Sequence, residues 1–156
     1  MKRFFSMAIA VICMQVMCFA QDGSAKAVKW SFTSKKINDK TYEVHFSAAI
    51  DGKYHMYAQN VGVDGPVATA FTFTKNPLIT FNGKVKELGN VIKKHEPVWG
   101  GTGNVNYFEK AVDFVQVVQL KSKVKTNVGG KVEFMVCDDK QCLPPAEVNF
   151  KIDIGG

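Results

Sequence analysis

The stretch FMVCDDKQCLPPAEVNF holds two thiols, Cys137 and Cys142, separated by four polar residues and followed by Pro144 and Pro145. Two cysteines at this spacing can form a fixed bridge, trade electrons with another dithiol, or ligate a metal. Four intervening residues suit a hairpin-type turn. Residues opposed at the mouth of such a turn have Cα atoms roughly 4.5–5.5 Å apart, within disulfide reach. A bridge here clasps little chain: closing about six residues restricts the unfolded state by roughly 2 kcal/mol, against about 4.7 kcal/mol for a loop of about a hundred. Flanked by Asp138, Asp139, Lys140 and Gln141 at a strand end, the bond is expected to lie open to solvent, and exposed bridges are the labile ones. The two sulfurs are not equivalent. Asp138 and Asp139 disfavour a thiolate at Cys137, whereas Lys140 favours one at Cys142, so Cys142 is the expected exchanging sulfur. Spacing alone leaves exchange and a structural bridge both open. Metal binding is the lesser reading and needs His45, His55 or His95 to converge on the sulfurs. His45, on the polar face of a strand pattern, reads as solvated.

Strands must position this pair, because period-two alternation runs along most of the chain. Val28, Trp30 and Phe32 alternate, as do Tyr42, Val44, Phe46, Ala48 and Ile50, which end at Asp51-Gly52. Val67, Thr69, Phe71 and Phe73 repeat the pattern up to Asn76-Pro77, and LITF follows, closed by Asn82-Gly83. AVDFVQVVQL, then Val132, Phe134 and Val136, then Val148, Phe150, Ile152 and Ile154 complete the set. Such segments bounded by Gly, Asn and Pro are strands. Their number and spacing predict an all-β, immunoglobulin-like antiparallel β-sandwich, with a small closed barrel as the alternative. The strand residues suffice for one core, so the fold should not depend on a disulfide.

Register adds a constraint. If Cys137 faces Cys142 and pairing continues unbroken, inward Phe134 opposes Pro145 and Val132 opposes Glu147. The inward set of the last strand, Val148, Phe150 and Ile152, has the other parity. The ladder must therefore shift after the turn, where Pro144 and Pro145 cannot donate to it. The longest stretch without clear alternation, Asn90 to Phe108, carries Pro97, Val98, Trp99 and three glycines, and is expected to be a long functional loop.

Residues 1–20 read as a secretory leader: Lys2 and Arg3, an apolar run from Phe4 to Ile12, and Cys18-Phe19-Ala20 before a cut after Ala20. A retained anchor is the rival, but Gln15 interrupts a run already short for a span. Met17 before Cys18 is bulkier than a lipid-attachment site prefers. Cleavage leaves residues 21–156 as one domain with two cysteines in a disulfide-permissive compartment. It also lowers the formal charge from +6 to +4 and removes Arg3, the sole arginine. A domain without arginine and with scattered lysines is a poor reader of nucleic acid. After residue 20 no apolar stretch is long enough to span a bilayer.

VCDDKQCLPPAEVNFKI resembles the C-terminal part of the N-terminal periplasmic domain of DsbD, the thiol:disulfide interchange family. The Cys-x4-Cys-Leu-Pro-Pro motif carries most of the likeness. DGKYHMYAQN is similar to the family's segment of tyrosines lining the active site, mapping to His55 and Tyr57 with Tyr54 beside them. HEPVWGGTGNVNYFEKAVDFVQVVQL is similar to the cap loop and the strand after it, with Val98 and Trp99 in the shielding region and Glu96 at an acidic position. Pro97 departs from a second acidic position. The resemblance implies a periplasmic thiol–disulfide exchange protein of the protein-disulfide reductase type, working without a cofactor. Cys142 would form mixed disulfides and Cys137 would resolve them. The implied electron donor is a thioredoxin-like protein or membrane thiol reductase, and the implied acceptor a periplasmic disulfide isomerase or cytochrome-maturation thiol protein. Full-length members continue into a multi-span membrane domain and a thioredoxin-like domain, whereas this chain stops at Gly156, so its electrons are expected to come from a separate protein. The rival from another class is an exported binding or adaptor module with a purely structural disulfide. Tyr54, Tyr57 and Trp99, taken singly, also fit ordinary core or edge packing.

Overall fold

Aromatic and β-branched side chains at every second position give two sheets an apolar face each, and those faces meet. The computed structural model describes residues 23–100 and 102–156; the expected leader, residues 1–20, lies outside them. A short helix, Gly23–Ala27, precedes strands β1 (Val28–Lys36), β2 (Thr41–Ile50), β3 (His55–Tyr57) and β4 (Ala70–Phe73). Then come β5 (Ile79–Leu88), β6 (Ile92–His95), a 3-10 turn at Pro97–Trp99, β7 (Asn104–Glu109) and β8 (Ala111–Leu120). The chain ends with β9 (Thr126–Phe134), β10 (Val136–Cys137) and β11 (Ala146–Ile154).

One sheet has the order β1-β2-β8-β5 and the facing sheet β11-β9-β4, all pairs antiparallel. Phe46 of β2 reaches across to Phe150 of β11 and Phe71 of β4, with ring centroids 4.7 and 4.8 Å apart. Val44, Phe114, Val118, Val132, Phe134 and Ile152 fill the space around them. This is the expected antiparallel β-sandwich, and its core is built from the alternating residues of β2, β8, β9 and β11.

A third sheet, β10-β3-β7-β6, grows from one end of the sandwich. Two breaks between strands create it. Lys110 adopts a left-handed backbone (φ 65) between β7 and β8, turning one long run out of the first sheet. Met135 separates β9 from β10, where the chain leaves the facing sheet. The third sheet has its own small core of Tyr57, Val61, Val105, Tyr107, Met135 and Cys137.

Three local expectations change. Asn90 to Phe108 is not a loop throughout: β6 and β7 pair as a hairpin, Ile92 opposite Tyr107 and His95 opposite Asn104, because a short two-residue period is hidden among lysines and asparagines. LITF does not end at Asn82-Gly83. Strand β5 continues to Leu88 through a register shift between Asn82 and Lys86. The buried Gln116 side chain fills that bulge, its amide donating to the Asn82 and Val117 carbonyls at 3.2 and 2.9 Å. Val67 and Thr69 lie outside β4. Thr69 is buried, and its hydroxyl donates to the Tyr57 carbonyl at 2.6 Å.

Candidate functional site: a disulfide cleft

Asp138 shapes the cysteine hairpin. Its N–H donates to the Gln141 carbonyl, and its carboxylate accepts from the Lys140 and Gln141 N–H groups, all at 2.9 Å. Those two amides hold the Asp138 carboxyl below its usual range. Leu143 N–H donates to the Val136 carbonyl at 2.9 Å. Hydrogen bonds on both sides of the cysteines, and none between them, make Cys137 and Cys142 a close, non-hydrogen-bonded antiparallel pair. They are joined as a disulfide with Cα atoms 3.9 Å apart.

The expected register break is present. Beyond the hairpin, Phe134 pairs with Ala146 and Val132 with Val148, one residue off the register of the cysteines. Met135 thus faces two residues, Pro144 and Pro145, which is a bulge. Ser24 satisfies the backbone that the bulge disrupts. Its buried hydroxyl donates to the Pro144 carbonyl at 2.7 Å and accepts from the Val136 N–H at 3.3 Å. Sequence reasoning missed Ser24, because a lone serine over a hundred residues from the cysteines carries no local signal.

The bridge is exposed on one side only. Cys142 is exposed as expected, but Cys137 is 2% exposed, which corrects the reading of a wholly open bond. Burial of Cys137 follows from pairing: β10 lies beside β3, Cys137 opposite His55 and Val136 opposite Met56. Tyr57, 1% exposed, donates its hydroxyl to Cys137 Sγ at 3.2 Å, and His55 Nε2 lies 3.4 Å from the same hydroxyl. Burial pushes the Tyr57 phenol up to about 12; the nearby Trp99 indole N–H opposes the rise without reversing it. Burial pushes His55 down, against the pull of Glu96, Glu109 and Asp139. The His55 and Tyr107 rings lie 4.4 Å apart, and Tyr107 is itself raised by burial.

The β6–β7 hairpin overhangs this surface. A cleft of about 470 Å³ separates it from the cysteine hairpin, and His55, Tyr57, Glu96, Val98, Trp99, Cys137 and Cys142 all border it, together with His95. The residues singled out from sequence therefore converge. Tyr54 does not border the cleft; it packs partly buried against the main core. Val98 stands on the rim, 80% exposed, whereas Trp99 turns inward, edge-on to Tyr57 at 6.2 Å. Trp99 rests on Gly65, where a Cβ would lie 2.5 Å from the indole Cε3. Gly65 gave no signal in sequence because its value lies in a side chain it leaves room for. His45 is elsewhere, on the first sheet, and is not simply solvated: its Nδ1 lies 2.7 Å from Asp113 Oδ2. Among the described residues no group of three or more His, Cys, Asp or Glu is placed to hold a metal ion. Nor is any described helix long and apolar enough to cross a membrane.

No protein-family model matches the sequence, and no curated protein matches it significantly. Solved structures do match. The DsbD N-terminal domain of Neisseria meningitidis, in complex with the PilB N-terminal domain, is 16% identical with a TM-score of 0.51, over 81% of this chain and 83% of that one. The N-terminal periplasmic domain of ScsB from Proteus mirabilis is 11% identical (TM-score 0.48), over 82% of this chain and 45% of that one. The reduced N. meningitidis DsbD N-terminal domain is 17% identical (TM-score 0.42), over 84% and 88%. At such identities the likeness is one of architecture: this chain has the fold of the DsbD N-terminal domain.

Proposed function

We propose that this chain is a thiol–disulfide exchange protein that relays reducing equivalents through Cys137 and Cys142. The observation that carries the reading is the asymmetry of the bridge: one sulfur is open to a cleft and the other is buried beneath a tyrosine hydroxyl. A thiolate arriving from outside reaches Cys142, and Cys137 is the sheltered leaving group or resolving thiol. In the reducing direction, the Cys142 thiolate attacks a partner disulfide and the partner's second sulfur leaves as a thiolate. Cys137 then attacks Cys142 in the mixed disulfide. The partner's first sulfur leaves, the Cys137–Cys142 bond forms, and two electrons have passed to the partner.

The small clasped loop supports the same reading, since this bond adds little to stability. Trp99, held over the cleft, serves as the shield, and Val98 as a contact for the incoming protein. The electron donor is a thioredoxin-like protein or membrane thiol reductase. The acceptor is a disulfide isomerase or cytochrome-maturation thiol protein in the periplasm, which the chain reaches by way of the leader at residues 1–20. A DsbD N-terminal domain of this fold is known in complex with a PilB domain, which supports a protein as the partner.

Trapping tests the proposal. With Cys137→Ala expressed in its own envelope, mixed disulfides should accumulate on Cys142 and collapse on reduction. A folded variant whose Cys142 alkylates readily, yet captures no partner, would count against exchange.

A further inference from the structure

Behind the buried sulfur lies a continuous line of polar atoms: His55 Nε2, Tyr57 Oη and Cys137 Sγ, with separations of 3.4 and 3.2 Å. The Tyr57 hydroxyl has one proton, and it points at sulfur, so its contact with His55 is one it accepts. His55 therefore holds its proton on Nε2 and donates to Tyr57. We propose that this line supplies the proton to Cys137 when the disulfide is opened, Tyr57 as the catalytic donor and His55 as the positioning residue that replenishes it. The inference rests on the exchange reading above and adds a proton path to it.

The step balances as follows. A thiolate of an incoming dithiol attacks Cys142 Sγ, and a new S–S bond forms to Cys142. The Cys137–Cys142 bond breaks, and its electron pair stays on Cys137 as a thiolate. Tyr57 Oη–H passes its proton to that sulfur, His55 Nε2–H passes one to Tyr57, and His55 takes up a proton from solvent at Nδ1. The dithiol's second sulfur then attacks the mixed disulfide and releases Cys142 as a thiolate. Two electrons have moved from the dithiol to the pair.

Burial makes the path necessary. Cys137 is closed to bulk water, and a thiolate formed there without a donor would be an uncompensated buried charge. Tyr57 is protonated at neutral pH like any phenol, and burial, which pushes its pKa up to about 12, only strengthens that. His55 meets charge on several sides: Glu109 from β7, Lys94 and Glu96 from the overhanging hairpin, and Asp139 from the cysteine turn. Tyr107 covers its ring, and Lys53, Tyr54, Asp138 and Lys140 border the hollow on its outer side.

The experiment is the rate of reduction of the oxidised protein by dithiothreitol, read by intrinsic fluorescence across pH 5 to 8. Tyr57→Phe and His55→Phe keep the rings and remove the polar atoms. Each should slow reduction about tenfold, and the double variant should be no slower than Tyr57→Phe, because both act in one line. The wild-type profile should carry an inflection below 6.5 that His55→Phe lacks. Rates within twofold of wild type, or effects that multiply to about a hundredfold, overturn the relay. Long-range proton–nitrogen spectra of the unmodified protein should show His55 as the Nε2–H tautomer. The Nδ1–H tautomer overturns the relay whatever the variants do. If wild type is reduced no faster than a denatured control disulfide, the exchange reading itself fails; fast wild-type reduction with unaffected variants defeats the relay alone.

Discussion

Cys137 and Cys142 differ more in surroundings than in sequence neighbourhood. Adjacent aspartates and a lysine already distinguish them by charge, but the larger difference is that β3 covers one sulfur and leaves the other bare. Limiting iodoacetamide should therefore modify Cys142 of the reduced protein at least about tenfold faster than Cys137, as read by peptide mass spectrometry, since thiolate character and access both favour it. Equal rates would show that burial of Cys137 does not persist after reduction. His55 gives a second expectation, in stability. Its pKa is lowered in the folded state by burial, so the unfolded chain binds the extra proton first as pH falls. The stability it contributes is complete above the unfolded value of about 6.5 and is lost as pH drops through the folded one. Melting between pH 7 and pH 5 should therefore show a smaller fall in Tm for His55→Phe than for wild type.

At the scale of elements, the site is one sheet bent out of two. The cysteine hairpin, the strand of His55 and Tyr57, and the overhanging β6–β7 hairpin share continuous pairing, so a movement of the overhang acts directly on the sulfur surface. Trp99 packs the tip of the overhang onto Tyr57 and Gly65, and its seat is imperfect. The indole Nε1 is buried and lies near the Tyr57 hydroxyl without forming a well-aligned hydrogen bond, a poorly satisfied donor that lifting the hairpin frees to water. Gly65→Ala should unseat it, because a Cβ meets the indole and the φ of +123° strains any L side chain. Alkylation of reduced Cys142 should then quicken several-fold while Tm falls only a few degrees, since the main core is untouched. Trp99→Phe, which removes the poorly satisfied N–H, should slow alkylation. The opposite order would mean that the overhang does not control access.

The whole molecule separates strength from reactivity. Phe46, Phe71, Phe114 and Phe150 hold the sandwich together at a distance from the sulfurs, and the site rests on a satellite core of its own. Reducing the disulfide should cost about 2 kcal/mol and lower Tm by on the order of 10 °C, with far-UV circular dichroism unchanged and unfolding still cooperative. Loss of a cooperative transition on reduction would make the bond structural and remove the physical ground for exchange. The same division explains the Pro144-Pro145 bulge. It lets β11 keep its apolar parity toward the core while the cysteines take the register that a close pair needs.

Alternation of apolar residues determined the strands and their inward faces by itself, because a period of two leaves a strand one way to bury its face; the choice of sandwich over closed barrel fell to strand pairing. The parity conflict between Cys137 and Val148 likewise announced a break in the ladder, and the cysteine spacing together with the resemblance to the DsbD N-terminal domain pointed to seven positions that border one cleft. Tertiary structure alone decided the rest. Which sulfur is covered depends on β3 pairing with β10, two segments about eighty residues apart. The inward turn of Trp99 depends on the empty side of Gly65, and the support of the bulge on Ser24, contacts with no local pattern. The polar line from His55 to Cys137 exists only because strand pairing sets residues 55 and 137 side by side, with Tyr57 reaching the same sulfur, a proximity no linear spacing encodes.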